Sequence, residues 1–370
     1  MRRALSLARR GWGRTWPNPM VGAVLVKAGR VVGWGWHRRP GGPHAEIHAL
    51  RRAGRGARGA TLYINLEPCA HFGRTPPCTT ALIRAGVRRV VAAVPDPNPK
   101  VSGRGFRQLR RAGIAVSVGL AGKEARALNE VYFKWIRTGR PFVICKAGMS
   151  LDGKIACSSG ASRWITGPEA RKFAHGLRAA AGAVIVGAGT LSHDDPLLTP
   201  RGVKARTPGR PWRVILEGRR PLPPGSRIFR AAPQDGRVIV ATAGRRRGPR
   251  ARLRNARLWH LPGANGRVDV QALLARLAAE GVHFVLVEGG GEVHASFLGL
   301  DAGARVVLAD RIYFILAPRL LGGKNAPGPV GGRGVSDPKN ALRLRNLRWQ
   351  SLGRDYLVMA EPIRSAPGGR

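Results

Sequence analysis

The 370-residue chain is short of acid: 20 Asp and Glu stand against 64 Lys and Arg, a formal net charge of +44. So basic a balance ordinarily points to a polyanionic partner. The excess, however, is spread over both halves of the chain, and only Arg245-Arg246-Arg247 forms a local cluster. Aromatic residues interleaved with cations on an exposed face would mark a binder of single-stranded nucleic acid. The tryptophans here sit mostly in expected strands or in the motif phrases quoted below, so a nucleic-acid-binding protein or nucleic-acid deaminase is the rival reading, not the leading one. Cysteine is also scarce. Four residues, Cys69, Cys78, Cys145 and Cys157, exclude a disulfide framework, and Cys145, in the run Phe142-Val143-Ile144-Cys145, reads as a core thiol. No apolar run approaches the roughly 18 residues of a membrane-spanning helix. Met1 to Arg10 is basic without a continuous apolar core, an amphipathic helix and not an export signal. Free thiols without such a signal lead us to expect a cytoplasmic protein with no membrane partner. There is no internal repeat, and no Gly-x-Gly-x-x-Gly follows a first strand, so a Rossmann domain is not supported.

What the chain does carry is chemistry at three short phrases: His44-Ala45-Glu46, Pro68-Cys69 and Pro77-Cys78. Together they supply one imidazole, two thiols and a carboxyl group. Zinc takes Cys sulfur and His nitrogen tetrahedrally, and a catalytic site keeps one position for water or substrate. Glu46, two residues from His44, can share the cleft without ligating, which suits the proton carrier of a zinc deaminase. A closed structural zinc site is the bland alternative. The usual Cys-x-x-Cys is replaced by Cys69 and Cys78 with Ala-His-Phe-Gly-Arg-Thr-Pro-Pro between them. His48 shares a helix face with His44 and reads as a packing or surface residue; His71 is a loop residue beside the site.

Apolar runs alternate with helical segments throughout, the pattern of an α/β layer protein. Strands are expected over 21–26, 31–36, 61–66, 87–94 and 114–118, and helices over 2–10, 44–52, 78–85, 105–112 and 122–136. Thr138-Gly139-Arg140-Pro141 is the expected boundary, giving domains 1–139 and 140–370. In the second domain strands are expected over 142–148, 183–187, 212–216, 237–241, 284–288, 311–316 and 356–359, with helices over 168–180 and 270–279. Segments 201–211 and 243–257 read as basic loops, and Asp194-Asp195-Pro196 as a loop. The Gly289-Gly290-Gly291 turn between a strand and a helix can bring bare N–H groups to a phosphate, although glycine clusters also serve as plain turns.

The phrases Pro17-Asn18-Pro19-Met20-Val21-Gly22, Pro43-His44-Ala45-Glu46, Leu66-Glu67-Pro68-Cys69, Gly73-Arg74-Thr75-Pro76-Pro77-Cys78 and Asp96-Pro97-Asn98-Pro99 resemble the zinc-dependent cytidine deaminase superfamily. Within it they are similar to the deaminase half of the bifunctional riboflavin-biosynthesis pyrimidine deaminase/reductases, where the long Cys-to-Cys spacing is at home. The phrases Lys146 to Lys154, Ser162 to Thr166, Val186 to Thr190, Asp194 to Leu198 and Val287-Glu288-Gly289-Gly290 resemble the reductase half. The resemblance implies a cytidine-deaminase-like α/β/α domain followed by a dihydrofolate-reductase-like α/β domain, with Zn2+ and NADPH as cofactors. It implies zinc on His44, Cys69 and Cys78, with Glu46 shuttling protons. Asn18 would contact the base and Arg74 the phosphate, although Asn18 also reads as a turn residue and Arg74 as a solvated charge. Gly148, Trp164, Thr190, Asp194 and the turn of Gly290, Gly291, Glu292, Val293, His294, Ala295 and Ser296 would face the cofactor, Trp164 being equally a core residue. Ser162, Arg178, Leu198, Arg201 and Glu288 would face the substrate, where a guanidinium fork matches phosphate oxygens. Lys146 or Asp194 could polarise the bond being reduced. The implied substrate is 2,5-diamino-6-(5-phosphoribosylamino)pyrimidin-4(3H)-one, deaminated and then reduced from ribosyl to ribityl. The implied assembly is a homo-oligomer without specific nucleic acid. A chain whose second domain has lost activity is the other rival. No roles follow for 202–280.

Overall fold

Short apolar runs bounded by glycine and proline become strands, and the amphipathic stretches between them become covering helices. In the computed structural model the chain forms two units, Met1–Arg140 and Pro141–Arg370. The structure describes all residues except 73–75, 204–210, 219–221, 231–235, 245–252, 254, 302–305 and 365–370.

The first unit runs α1 (Arg2–Arg9), β1 (Gly22–Lys27), β2 (Arg30–Trp36), α2 (Ala45–Ala53), β3 (Thr61–Ile64), α3 (Cys78–Arg84), β4 (Arg89–Ala92), α4 (Arg104–Arg111), β5 (Ala115–Val118), α5 (Gly122–Leu128) and α6 (Glu130–Thr138). Its sheet has the order β2-β1-β3-β4-β5. β1 is antiparallel to β2 and β3, and β3, β4 and β5 are parallel. Ala45 and Ala49 of α2, Leu82 of α3 and Phe106 and Leu109 of α4 pack on Leu25, Leu62, Ile64 and Val90. Leu5, Leu66, Val94, Ala125, Tyr132 and Phe133 form a separate cluster with elements of α1, α5 and α6. Two glycines of β2 set how closely α2 approaches. A Cβ on Gly33 would lie 2.3 Å from the Ala49 carbonyl oxygen, and one on Gly35 would lie 2.4 Å from His48 Cβ. His48 is thereby committed to packing on β2.

One long helix over 122–136 is expected from the sequence, but the structure breaks it at Asn129. Asn129 is fully buried, so its amide must find partners or lose hydrogen bonds it had in water. Its Oδ1 accepts from Met20 N–H at 2.8 Å and its Nδ2 donates to Met20 O at 2.9 Å. Asn65 accepts from Gly22 N–H and donates to the same Met20 carbonyl. The two asparagines clamp the segment that carries Asn18.

The second unit runs β6 (Phe142–Ser150), α7 (Pro168–Ala180), β7 (Ala183–Gly187), α8 (Ala188–Asp194), β8 (Trp212–Leu216), α9 (Arg227–Arg230), β9 (Val238–Thr242), β10 (Ala256–His260), α10 (Val270–Ala279), β11 (Phe284–Val287), α11 (Gly291–Leu298), β12 (Arg311–Ala317), β13 (Leu344–Leu352) and β14 (Asp355–Pro362). The sheet order is β10-β9-β8-β7-β11-β6-β12-β14-β13. β10 through β12 are parallel, and β14 and β13 close the edge antiparallel. Three elements differ from expectation. β10 falls partly in a stretch expected as basic loop, and only Trp259 of its five residues is buried. β13 is exposed along nearly its whole length, so it has no apolar face to betray it. Asp194 ends helix α8, with Asp195 at φ 39° terminating it.

Because Asn129 Oδ1 accepts from the Met20 N–H, while Asn65 also serves the Met20 carbonyl, Asn129→Ala should strand that N–H and cost about 2 kcal/mol. Calorimetry should show a lower melting temperature for the first unit and an unchanged second transition; an unshifted profile would remove the clamp from the account.

Candidate active sites

α2 starts at its N-cap His44 in extended conformation after Pro43, and α3 starts at Cys78 after Pro76-Pro77. Proline fits a helix start and not its interior, so the sequence places both ligands at helix beginnings. Cys69 lies in the loop after β3 and accepts the Cys78 N–H at 3.4 Å. His44 Nδ1 is 3.6 Å from Cys69 Sγ and 3.3 Å from Cys78 Sγ, and the three ligand atoms lie within 4.8 Å of one another. A tetrahedral zinc with Zn–S of about 2.3 Å and Zn–N of about 2.0 Å places neighbouring donors roughly 3.5 to 3.8 Å apart. The set fits one zinc ion with three protein ligands, the complement of a catalytic site. Hydrogen bonding to Cys69 pushes His44 up to about 9. Cys69 is pulled down to about 4, first by Cys78 and then by His44, against burial. Cys69 thus favours the thiolate that a metal binds.

Glu46 is 3% exposed, and its Oε2 has no hydrogen-bond partner among the described residues. Burial raises its pKa, opposed by the nearby His44 charge. It faces a pocket of about 460 Å³ that Asn18, His37, His71, Glu67, Asp96 and Tyr132 also line. Arg74 lies outside the described residues.

Several of these residues went unassigned from sequence. His37, a lone histidine after β2, is buried, which holds it down at about 4. Its Nδ1 meets Pro43 O at 3.2 Å and its Nε2 meets Asn18 Nδ2 at 3.0 Å. A neutral ring donating from Nδ1 and accepting at Nε2 satisfies both contacts. Asn18 therefore spends its amide group on His37, which leaves its carbonyl oxygen as an acceptor. Asp96 Oδ1 accepts from Tyr132 O–H at 2.9 Å and Asn98 N–H at 2.9 Å, while burial lifts Asp96 to about 6. The phrase Asp96-Pro97-Asn98-Pro99 was the signal for this wall, but nothing in it announced Tyr132 or His37.

In the second unit a cleft of about 600 Å³ opens at the carboxyl ends of β7, β8 and β11, the edge where parallel sheets bind ligands. Helices α8 and α11 both begin there, lining it with Gly187 to Thr190 and Gly290 to Val293. Helix starts offer N–H groups and positive dipole ends to a pyrophosphate, so this lining fits a dinucleotide such as NADPH. Ser162, Thr190, Asp194 and Ser296 line it as well, and Ser162 Oγ donates to Asp194 Oδ1 at 2.6 Å. The rim includes Arg267, which lies in the region left without roles and pairs with Glu292 at 3.0 Å and Asp301 at 2.5 Å. Gly148, Trp164, His294 and Ala295 are not among the cleft's lining residues. His294 and Ala295 are fully buried, and the His294 ring sits between the Pro329 and Val287 carbonyls. A Cβ on Gly148 would meet Thr166 Cγ2 at 3.0 Å. Trp164 is 57% exposed with the Arg171 guanidinium over its ring, so it is no core residue.

The residues expected at the reductase substrate divide. Glu288 and Arg178 are joined by Oε2 and Nε at 2.5 Å, and Lys146 Nζ lies 3.3 Å from Oε1, an ion pair without hydrogen-bond alignment. Burial pushes the Glu288 pKa up, but Arg178 and Lys146 outweigh it and the net direction is down. His175, one turn before Arg178, accepts the Arg201 N–H at Nδ1, and burial with Arg178 beside it lowers it to about 4. Leu198 is buried with φ 56°.

Residues 1–94 match the model of the cytidine and deoxycytidylate deaminase zinc-binding region, and residues 141–358 match that of the RibD C-terminal domain. The riboflavin biosynthesis protein RibD of Aquifex aeolicus is 41% identical over 97% of this chain and 96% of its own. That of Escherichia coli is 43% identical over 87% and 88%. The structure of Acinetobacter baumannii RibD superposes with a TM-score of 0.82 at 38% identity, covering 98% of each chain. The Thermotoga maritima diaminohydroxyphosphoribosylaminopyrimidine deaminase/5-amino-6-(5-phosphoribosylamino)uracil reductase superposes with a TM-score of 0.81 at 35% identity, covering 98% of this chain and 97% of its own. With likeness at this level across both units, the chain belongs to the RibD family of bifunctional riboflavin-biosynthesis enzymes, a zinc-dependent cytidine-deaminase-like unit followed by an NADPH-dependent, dihydrofolate-reductase-like unit.

Proposed function

We propose that the chain deaminates 2,5-diamino-6-(5-phosphoribosylamino)pyrimidin-4(3H)-one and then reduces the ribosyl side chain of the product to ribityl. The observation that carries the first step is the unpartnered, buried Glu46 Oε2 beside the His44, Cys69 and Cys78 donor set. Zinc supplies a Lewis acid that makes water a competent nucleophile near neutral pH. Glu46 takes the proton of the attacking water and hands it to the departing amine as the bond from the ring carbon to its exocyclic nitrogen breaks, giving ammonia and a uracil-type ring. The Asn18 carbonyl oxygen, turned by His37, accepts from an N–H of the base. Arg74 serves the phosphate.

In the second unit NADPH supplies the hydride. It adds to the first ribose carbon, opened as an imine, and the nitrogen takes a proton. Thr190, Asp194 and the turn residues Gly290, Gly291, Glu292, Val293 and Ser296 hold the cofactor, with Gly148 and Trp164 at its reacting end. Ser162, Leu198, Arg201, Arg178 and Glu288 hold the substrate. Arg178 engages Glu288 through Nε, which leaves its two terminal nitrogens for phosphate. Free thiols at Cys145 and Cys157 suit a cytoplasmic enzyme. The chain self-associates along β13, the last strand of its sheet, where Leu347 and Trp349 are 55% and 61% exposed; a long edge strand presents a row of backbone donors and acceptors for pairing.

Glu46→Gln should keep zinc by metal analysis, lose ammonia release by about 100-fold or more and leave reductase turnover unchanged; loss of metal would make Glu46 a ligand. Arg178→Lys should raise the reductase KM for the phosphorylated substrate about tenfold without changing NADPH affinity measured by fluorescence titration; an equal KM would free the guanidinium from that role. Trp349→Asp should lower the mass seen by light scattering, whereas an unchanged mass would exclude the β13 edge.

A further inference from the structure

Glu67, immediately before Pro68-Cys69, is 4% exposed, yet among the described residues it bonds neither a metal ligand nor a cation. Its whole carboxylate is turned onto backbone. Oε2 accepts from Asp96 N–H at 3.2 Å and Gly103 N–H at 2.9 Å. Oε1 accepts from Gly105 N–H at 3.0 Å and Phe106 N–H at 3.3 Å. Three of those donors belong to the start of α4, whose own N-cap, Gly103, has no side chain to offer. A helix start left uncapped carries unsatisfied N–H groups and a positive end, and a buried carboxylate from the loop after β3 answers both. The fourth donor fixes Asp96, and with it the wall of Asp96, Asn98 and Val101 that lines the deaminase pocket.

The same helix is braced against the metal loops at two more points. A Cβ on Gly105 would lie 2.1 Å from the Pro68 carbonyl oxygen, so α4 begins in direct contact with the backbone before Cys69. Further along, Gln108 Oε1 lies 2.7 Å from Oγ1 of Thr79, the residue after Cys78, and Thr79 N–H donates to Cys69 O at 3.2 Å. One element thus touches both cysteine loops and the opposite pocket wall, and Glu67 anchors its start.

We infer that Glu67 is a positioning residue for deamination, holding the Asp96 to Val101 wall at a fixed distance from the metal ligands and Glu46. The inference rests on the deaminase reading above. In Glu67→Gln the carboxamide keeps the shape, but its NH2 opposes two N–H donors, so the wall loses its anchor. The KM of the pyrimidine substrate should rise about tenfold, the scale of one charge-assisted hydrogen bond, with kcat changed less, zinc content unchanged and reductase turnover on the deaminated product unchanged. Wild-type kinetics in this variant would overturn the inference. So would equal loss of both activities with a lower melting temperature, which would assign Glu67 to the fold alone. An independent check needs no variant: in the native enzyme the amides of Asp96, Gly103, Gly105 and Phe106 should exchange hydrogen slowly and as one group. Exchange of these four at the rate of exposed loop amides would overturn the inference too. Absence of ammonia release from the wild-type enzyme would strike the deaminase reading itself, a separate failure.

Discussion

Everything in the first unit answers one requirement: an imidazole and two thiolates from distant segments must meet within a single coordination sphere. Zinc cannot be gripped by ligands that arrive half an ångström late, so their backbones must be placed by packing before the metal binds. Gly33 and Gly35 let α2 rest on the backbone of β2, which sets the depth of His44. The prolines before His44 and Cys78 fix where two helices begin. Asn65 and Asn129 hold the strand entry that carries Asn18. None of these devices touches the metal, and each spends buried polar groups or missing side chains to hold the ones that do.

The composition takes on meaning beside this. With 20 acids against 64 bases, acidic side chains are rare, yet Glu46, Glu67, Asp96 and Asp355 are all buried. Asp355 accepts the Gly167 N–H that opens α7 at 2.6 Å. Burying a carboxylate is costly unless hydrogen bonds or charges answer it. In a chain whose surface is given over to arginine, the acids kept inside are those with a backbone to cap or a proton to carry. The charge describes the surface; the sites lie in the interior exceptions to it.

How much of this was legible in the sequence follows from the range of the forces involved. The cluster of His44, Cys69 and Cys78 was readable because ligand chemistry ties residue type to short, proline-marked phrases. The parallel sheet of the second unit was readable because its central strands are buried on both faces and so are apolar throughout. β13 was not, because an exposed edge strand has no apolar period, and β10 was hidden by its arginine and leucine facing solvent. The break at Asn129 was invisible because its cause is a partner more than a hundred residues away. His37 and Tyr132 failed to show for the same reason, since each acts through a contact that only the fold creates. In the glycine turn after β11 the phrase was readable but the facing was not. A helix shows one side to a ligand, and His294 and Ala295 fall on the other.

The two catalytic units also set a carboxylate to opposite ends of its range by the company it keeps. The Glu46 and Glu288 side chains are both largely buried, and burial alone pushes each toward the neutral acid. At Glu288 two cations stand against the carboxylate and win, so it persists as an anion that fixes Arg178 and Lys146 in place. At Glu46 no cation among the described residues is bonded to the carboxylate, and one oxygen has no partner among them. A carboxylate with an oxygen left free can give and take a proton; one whose oxygens are held by cations can only orient others. The hydrolytic unit needs the first kind, because a proton must travel from water to amine. The reductive unit draws its hydride from a cofactor, and there the fixed charge of Glu288 holds the Arg178 guanidinium in place.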